Sequence, residues 1–588
     1  MLSSAFISPL FLAVKVKAKI SFILNEIWMV GHVQKQIYQK QIYLDIIKSG
    51  VENTRTRSPW EADVLRRVFL LISLCCVLPG MSTRAQTVST AVCPTNSKLI
   101  CTLPEVYGPN GLQQVIGPLA KVDNHAGGHF ESSFISSLGP LNAAVGSQLT
   151  LLPLGSPGSG LVYVYDPTLK TFTASTEDLG PILTERANTT GRHKVRVGFS
   201  YQRFSFGTLD GASLHNLPAS FIHIDDPGPT GTPDFTGGVQ VPAGQNCTIN
   251  PTLPGDTNKG LCGFVRDRID TVTNVNLTLN QYTATATIGL TNRIDVSVAI
   301  PINNIQMDVS SDATIVDNSH SGNHQFKATG CPLPAGSAVP ATSPCAHKIF
   351  TNSSKASGIG DVVLRAKGVV WSGERAAIAL GADIRFPTGD EQNFLGSGTY
   401  GVTPFAVFSY AARVSPHVNV GFEENWNSVL AGEIIPPQPV GLPANITTPS
   451  TFTKGHLPNQ FLYSGGADVV IVKKRLAGTF DLIGQRVLNA QRSTVASQSF
   501  LGPCGPAGLQ PVDSSNSNGY CTSPDPALNV SRPALIQTKG SFNILNASLG
   551  AKVRISDKFV IFGNALIKLD DGGLRAKVVP LVGASFSF

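Results

Sequence analysis

Charged side chains are scarce in this chain, at 14% of its 588 residues, and methionine and tryptophan occur only four times each. A hydrophobic fraction of 42% goes with that scarcity and excludes intrinsic disorder. After residue 90 no run of about twenty uncharged apolar residues occurs, so the body has no segment suited to a membrane-spanning helix. Catalytic signatures are missing too: no H-E-x-x-H, no P-loop, no G-x-G-x-x-G after a strand and no G-x-S-x-G elbow. An enzyme is therefore not expected, and no cofactor or metal site is assigned. The formal charge of +7 suggests a basic protein, yet residues 1–85 hold 11 Lys/Arg against 5 Asp/Glu, leaving 34 against 33 in the remainder. A nucleic-acid binder needs a basic patch or stripe; the body has none, and that partner is excluded.

What is present is alternation. From Leu545 to Ile555 the residues Leu545, Ala547, Leu549, Ala551 and Val553 share one face, and Asn546, Ser548, Lys552 and Arg554 the other. After Ser556-Asp557-Lys558 the pattern resumes through Phe559, Ile561, Ala565, Ile567 and Leu569, and after Asp570-Asp571-Gly572-Gly573 it runs through Val582, Ala584, Phe586 and Phe588. Strands of about ten residues with one apolar face are what a transmembrane β-barrel requires, although a soluble antiparallel sheet alternates as well. Phe586 and the terminal Phe588 resemble the insertion signal of bacterial outer-membrane barrels, which makes the barrel-assembly machinery an expected partner.

The connections decide between barrel and soluble sheet. Strands are expected at Lys194–Phe206, Val275–Leu290, Ile294–Met307, Asp361–Trp371, Ala377–Phe386, Pro404–Val414, Val418–Asn427, Phe461–Val472 and Gly478–Leu488, followed by the three above. Between them short turns alternate with long loops; Thr291-Asn292-Arg293, Ser372-Gly373-Glu374, Ser415-Pro416-His417 and Lys473-Lys474-Arg475 are short. Even strand number, short periplasmic turns and long outer loops belong to outer-membrane barrels. The expected fold is all-β: a transmembrane antiparallel barrel of about 12 strands (12–14), with phase slips near Gln202 and Asn280 read as bulges.

The ends of the chain divide further. Arg66-Arg67, the apolar run Val68–Leu78 and Thr83-Arg84-Ala85 form an export signal over residues 64–85, which leaves residues 1–63 as a doubtful leader and a mis-assigned start. Residues 86–190 are mixed and rich in Gly and Pro, with one small hairpin around Asp166–Lys170; they form either a plug inside the barrel or a periplasmic extension. The barrel then covers residues 191–588. Eight cysteines beyond the signal fall into local pairs, Cys93/Cys101, Cys247/Cys262, Cys331/Cys345 and Cys504/Cys521, read as disulfides in an exported chain. Their spacings are too wide for zinc. His320 and His324, like His125 and His129, read as solvated loop histidines, and His223, Asp225 and Asp226 make only a weak cation site.

With the apolar face toward lipid, the opposite face supplies the candidate lumen lining. It collects Arg196, Asp361, Arg365, Lys367, Asp383 and Arg385, then Glu423, Asp468, Asp481, Gln485, Lys552 and Arg554. Both signs occur together, so no ring of one charge marks an ion-selective filter.

Three segments carry a resemblance: Gly358-Ile359-Gly360-Asp361-Val362-Val363-Leu364-Arg365-Ala366-Lys367, Arg385-Phe386-Pro387-Thr388-Gly389-Asp390 and Ser415-Pro416-His417-Val418-Asn419-Val420-Gly421. They resemble the outer-membrane proteins grouped with the phenol-degradation (MetA-pathway) transporters, distant relatives of FadL-like channels. The resemblance covers roughly residues 190–588. It implies a lipid bilayer as surroundings, residence in the outer membrane and passage of small hydrophobic or aromatic solutes. A surface-exposed structural or partner-binding barrel with a closed lumen is the alternative.

Overall fold

The computed structural model describes residues 98–107, 138–153, 182–222, 268–316, 340–432, 450–472, 475–500 and 526–588, with short pieces at 92–93, 114–116, 163–166, 171–174, 318, 324–326, 328–331, 333 and 434–435. By internal packing the chain divides into residues 1–85 and 86–588. The first unit, with the expected leader and export signal, lies outside the described residues.

Alternation along the second unit closes a wall. Its strands are β1 (Val195–Leu209), β2 (Arg268–Gly289), β3 (Ile294–Val316), β4 (Val362–Ser372), β5 (Ala376–Phe386) and β6 (Gly401–Tyr410). They continue as β7 (Val414–Asn425), β8 (Asn459–Val472), β9 (Leu476–Phe500), β10 (Val530–Arg554), β11 (Phe559–Lys568) and β12 (Val578–Ser587). Each pairs antiparallel with its sequence neighbour, and β12 pairs back onto β1 through Phe586↔Val197 and Leu581↔Gln202. Twelve strands thus form a closed antiparallel barrel, and closure removes the unpaired edges that a membrane would penalise. Short turns gather at one end and long connections at the other.

The outer face fixes the surroundings. Phe199, Ile288, Ile302, Phe408, Phe480, Leu549 and Val582 are exposed on it, between a third and a half or more of their surface free. Soluble proteins rarely leave a continuous apolar band of that extent to water. On β2 and β3 the band runs from Tyr282 to Leu290 and from Ile294 to Ile302, about nine residues each, the length a tilted strand needs to cross a bilayer. Among the described residues no helix is long and apolar enough to cross.

Several strands are longer than alternation suggested, because their hydrophobic phase reverses partway up. In β1, Val197 and Phe199 face out and Ser200 and Gln202 face in; then Phe204 and Phe206 face in while Arg203 and Ser205 face out. In β2 the outward Tyr282 gives way to outward Asn276 and Asn274, with Val275, Leu277 and Leu279 buried inside. No bulge is needed: β1 and β2 stay in register through Gln202↔Gln281, and β2 and β3 through Asn280↔Asn304. The bulges expected near Gln202 and Asn280 are therefore corrected. What changes there is the solvent on either side, from lipid outside and polar lumen inside to water outside and apolar core inside. The register shifts found among the described residues lie instead at Val369/Trp371, Val470/Val472, Val487/Ala490 and Arg575/Ala576.

Two further expectations change. The segment His347–Ile359, read as loop, is an extended strand above β4 that pairs with β3 from Thr314 to Ile302. Ser415-Pro416-His417 has turn chemistry, yet all three lie inside β7; Ala411–Arg413 makes the turn, with the Ser415 hydroxyl donating to the Ala412 carbonyl at 2.6 Å. Ser415 and His417 face inward and are buried. Partners inside the barrel override the local signal.

Pieces of residues 86–190 pack against the inner wall. Helix α1 (Leu99–Thr102) and helix α2 (Leu138–Leu149) join one core with Leu277, Ile305, Phe221 and Phe350, inside the region where the phase has reversed. Tyr163–Asp166 and Thr171–Ala174 pair as the expected hairpin. Cys331 and Cys345 are disulfide-bonded, and Cys101 is also in a disulfide. Cys247, Cys262, Cys504 and Cys521, and the histidines and aspartates proposed in the loops (His125, His129, His223, Asp225, Asp226, His320), lie outside the described residues; so does the side chain of His324.

Candidate solute path

Inside the belt, nine residues cross the lumen like a floor. Residues 182–190 run just before the reversal at Gly191 and His193, both with positive φ, that leads into β1. Gly191 is held tightly there, because a Cβ on Gly289 would lie 1.8 Å from its carbonyl oxygen. The floor touches one strand after another. Thr190 donates its N–H to Asp295 of β3 at 2.7 Å, and Ala187 donates its N–H to Ser409 of β6 at 2.9 Å. Ile182 packs with Phe562 of β11 and Leu581 of β12.

The charges of the floor are paired with the wall. Glu185 accepts from Arg365 at 2.6 Å and from Lys367 at 2.9 Å, and Arg365 also forks onto Asp383 with two 2.7 Å bonds. Arg186 donates to Asp468 at 3.1 Å and to the Ser415 carbonyl at 3.0 Å. His417, fully buried, lies 2.6 Å from Asp481 and 3.8 Å from Asp468, while Thr184 meets its Nε2 at 2.9 Å. Charges this buried remain only where each is matched, since removing one partner strands the other.

Above the floor a second polar tier surrounds the chain that leaves α2. Arg385 bonds Glu423 at 2.7 Å and also reaches Asn425 and the Thr150 carbonyl. Gln485 donates to the Leu151 carbonyl at 3.2 Å, and Gln202 to the Pro153 carbonyl at 3.3 Å. Between the tiers lies a cavity of about 310 Å³. Leu152, Leu183, Leu279, Phe394, Leu395 and Phe405 supply its apolar wall, and Asn303, Asp383, Arg385 and Glu423 its polar one.

The first and second motif segments meet at the rim of this cavity. Asp361 accepts from the Gly389 N–H at 3.1 Å and the Ser397 N–H at 2.7 Å, and Thr388 donates to the Gly360 carbonyl at 2.7 Å. A Cβ on Gly389 would come within 2.7 Å of the Gly396 backbone, so only glycine permits that crossing. The knot turns the Pro387–Thr399 connection inward and buries Phe394 against Gly146 of α2 and Leu395 beside Gly358. Asp390 and Asn393 of the same connection bind Lys98 and the Leu99 N–H at the start of α1.

All twelve residues read as lining lie on the wall as buried or half-buried side chains: Arg196, Asp361, Arg365, Lys367, Asp383, Arg385, Glu423, Asp468, Asp481, Gln485, Lys552 and Arg554. Arg365, Lys367, Asp383, Asp468 and Asp481 belong to the floor's network and Arg385, Glu423 and Gln485 to the upper tier, while Lys552 lies over the Phe562 ring at 5.8 Å. Sequence reasoning missed Thr184, Glu185, Arg186 and His417. The adjacent opposite charges of Glu185-Arg186, set between Ile182-Leu183 and Ala187 just before the first strand, were the available signal.

The family described as "Putative MetA-pathway of phenol degradation" matches by its model over residues 230–429. The chain resembles that family. No curated protein matches the chain. Among solved structures it is similar to an outer membrane channel from Pseudomonas putida F1, at 8% identity and a TM-score of 0.31, over 70% of this chain and 100% of that one. A FadL homologue from Pseudomonas aeruginosa is similar at 11% identity and a TM-score of 0.23, over 67% and 88% of the two chains. A monoaromatic hydrocarbon channel, the TodX deltaS2S3 mutant, shows 8% identity and a TM-score of 0.26 over 72% and 98%. At these levels the similarities add nothing to what the strand order already gives. A closed, even-stranded antiparallel barrel with an apolar belt, short turns at one end and long loops at the other is an integral outer-membrane protein.

Proposed function

We propose that the chain is a passive outer-membrane channel for small hydrophobic or aromatic solutes, and that residues 86–190 act as its plug. The observation that carries this reading is the half-apolar cavity held directly above an ion-paired floor. Its size accords with the class: an apolar cavity of roughly 150 Å³ already takes a benzene-sized guest. A solute resting on Leu279, Leu395 and Phe405 would have Asn303 and Arg385 within the same space to orient a polar substituent. Passage then requires residues 182–190 to leave the wall. The matched pairs of Glu185 and Arg186 make that a gated event rather than a leak.

The matching reading from sequence is that residues 64–85 are a cleaved export signal, that the cysteine pairs staple the outer loops, and that the barrel-assembly machinery reads Phe586 and Phe588. Transport, not catalysis, is the activity assigned. A second reading, a closed scaffold, draws on the same floor, which bridges strands on several sides of the lumen. Conductance of the full chain in planar bilayers separates the two. Deleting residues 182–190 should raise conductance strongly and speed entry of a small aromatic probe into vesicles. A deletion variant that folds but neither conducts nor admits the probe would establish the scaffold.

A further inference from the structure

The reversal of hydrophobic phase leaves a polar terrace on the outside of the barrel, immediately above the lipid belt. Its lowest row is Arg203, Asn280, Asn304 and Ser357, side by side on β1, β2, β3 and His347–Ile359. The next row is Ser205, Thr278, Gln306 and Lys355. Higher still, Asn276, Asp308 and Ser353 stand level, and then Asn274, Ser310 and Thr351, with a concavity of about 500 Å³ over these last two rows. All these side chains are on the face that lower down meets lipid, and the row beneath them is Tyr201, Tyr282, Ile302 and Ile359.

The composition of the terrace is unlike that of a face serving only to be wetted. Solvated surfaces are rich in Lys and Glu, whereas here amides and hydroxyls dominate. Asparagine is disfavoured in strands, yet Asn274, Asn276, Asn280 and Asn304 all stand on two adjacent ones. Successive rows are about 7 Å apart along a strand. The lowest rows therefore stand in the headgroup layer directly above the acyl chains, and the upper rows reach beyond it toward water. Neutral donors and acceptors in a flat array match sugar hydroxyls, and the two cations, Arg203 and Lys355, occupy the two rows nearest the lipid, where phosphates of a glycolipid would lie.

We propose that this terrace binds the phosphorylated saccharide headgroup of an outer-leaflet glycolipid, with Arg203 and Lys355 at its phosphates and the Asn and Gln side chains at its sugars. The site is on the outer wall and is separate from the cavity of the solute path.

The test uses the full chain in phospholipid nanodiscs doped with a purified glycolipid that carries two phosphates and a core oligosaccharide. Retained glycolipid is measured by native mass spectrometry after affinity purification. The wild-type protein should retain it, and a variant combining Arg203→Gln, Asn280→Ala, Asn304→Ala and Lys355→Gln should lose about tenfold in affinity, the loss expected for a few polar contacts. Arg486→Gln, on the outer face of β9, serves as the control and should retain wild-type binding. Heat-modifiable migration in detergent gels verifies that each variant is folded; if the combined variant is not, Asn304→Ala and Lys355→Gln singly should each weaken retention. Equal retention by wild type and folded terrace variants, no retention by wild type, or retention of the free oligosaccharide as strong as that of the glycolipid would overturn the proposal.

Discussion

Glu185 accepts from Arg365 at 2.6 Å across a sequence distance of 180 residues, and from Lys367 at 2.9 Å on its other oxygen. One carboxylate thereby ties the chain that crosses the lumen to two inward positions of β4. Because Arg365 keeps Asp383 as a second partner while Lys367 otherwise donates to the Arg186 carbonyl, the two cations differ in dependence on Glu185.

Glu185→Ala removes the shared partner and leaves Lys367 buried with the Arg186 carbonyl as acceptor and Asp295 as the nearby carboxylate. Breaking a buried pair in this way costs about 3–5 kcal/mol locally. The expected outcome is a floor that opens more often: higher mean conductance in bilayers, with the barrel still heat-modifiable in gels. The double variant Glu185→Gln with Lys367→Met restores neutrality without an orphaned charge and should sit closer to wild type. Equal conductance for Glu185→Ala and wild type would show that the floor does not gate.

The boundary of the lipid belt can be placed by single charges. Leu549 is about half exposed on the outer face of β10, midway between the reversal at Asn543 and the turn after Arg554. Leu549→Arg should destabilise the folded barrel by about 2–4 kcal/mol, whereas Asn543→Arg should cost about 0–1 kcal/mol. Unfolding in urea from phospholipid vesicles measures both. Equal costs would mean that the phase reversal does not mark the lipid border.

Asp361 is worth testing because its two oxygens satisfy two buried N–H groups, of Gly389 and Ser397. In Asp361→Ala both donors lose their acceptor, at a cost of about 1–3 kcal/mol each. The Pro387–Thr399 connection should then loosen, exposing Phe394 and Leu395 of the cavity wall. Faster proteolysis at that connection, with unchanged cleavage in the short turns, is the expected pattern. Asp361→Asn retains one acceptor and should fall between.

How much of this was open to a reader of the sequence depends on what each strand faces. Where lipid lay outside and polar lumen inside, as from Leu545 to Val553, alternation gave the strand, its register and its inward residues. Above Asn543 the same strand continues with the opposite phase, and apolar-out alternation stops there; above Tyr282 the expected strand reaches only as far as Val275, through a slip read as a bulge. His347–Ile359 was lost for that reason: its outward Ser353, Lys355 and Ser357 resemble a loop. The candidate site was half legible. Wall residues such as Arg365 and Asp468 declare themselves as charges on an otherwise apolar strand. Their partners Glu185 and Arg186 belong to a segment without periodicity, and nothing local says which strand a charge 180 or 282 residues away will meet. His417 was hidden by Ser415-Pro416, whose turn chemistry is outvoted by Asp481 and Thr184.

The link between α1 and the inward connection gives a dependence on pH. Lys98 donates to Asp390 at 2.8 Å outside the belt. Partial burial would raise the Asp390 carboxyl, but the Lys98 hydrogen bond and charge, with donors from Asn393 and Gln392, outweigh it and hold the carboxyl below its ordinary value. A carboxylate depressed in the folded state contributes stability that is fully present above its unfolded pKa and is lost as pH falls through the folded one. The pair is partly exposed, so its worth is small, of the order of that of a surface pair at up to about 1 kcal/mol. The expected outcome is that amide exchange at Leu99 and Asn393 stays slow down to the ordinary carboxylate range and, after correction for the intrinsic rate, quickens below it. Asp390→Asn should show the quickened exchange at every pH, and Lys98→Met should shift the onset upward. Protection that is independent of pH in wild type would mean that packing of Leu99 and Phe394, rather than the ion pair, holds α1 to the connection.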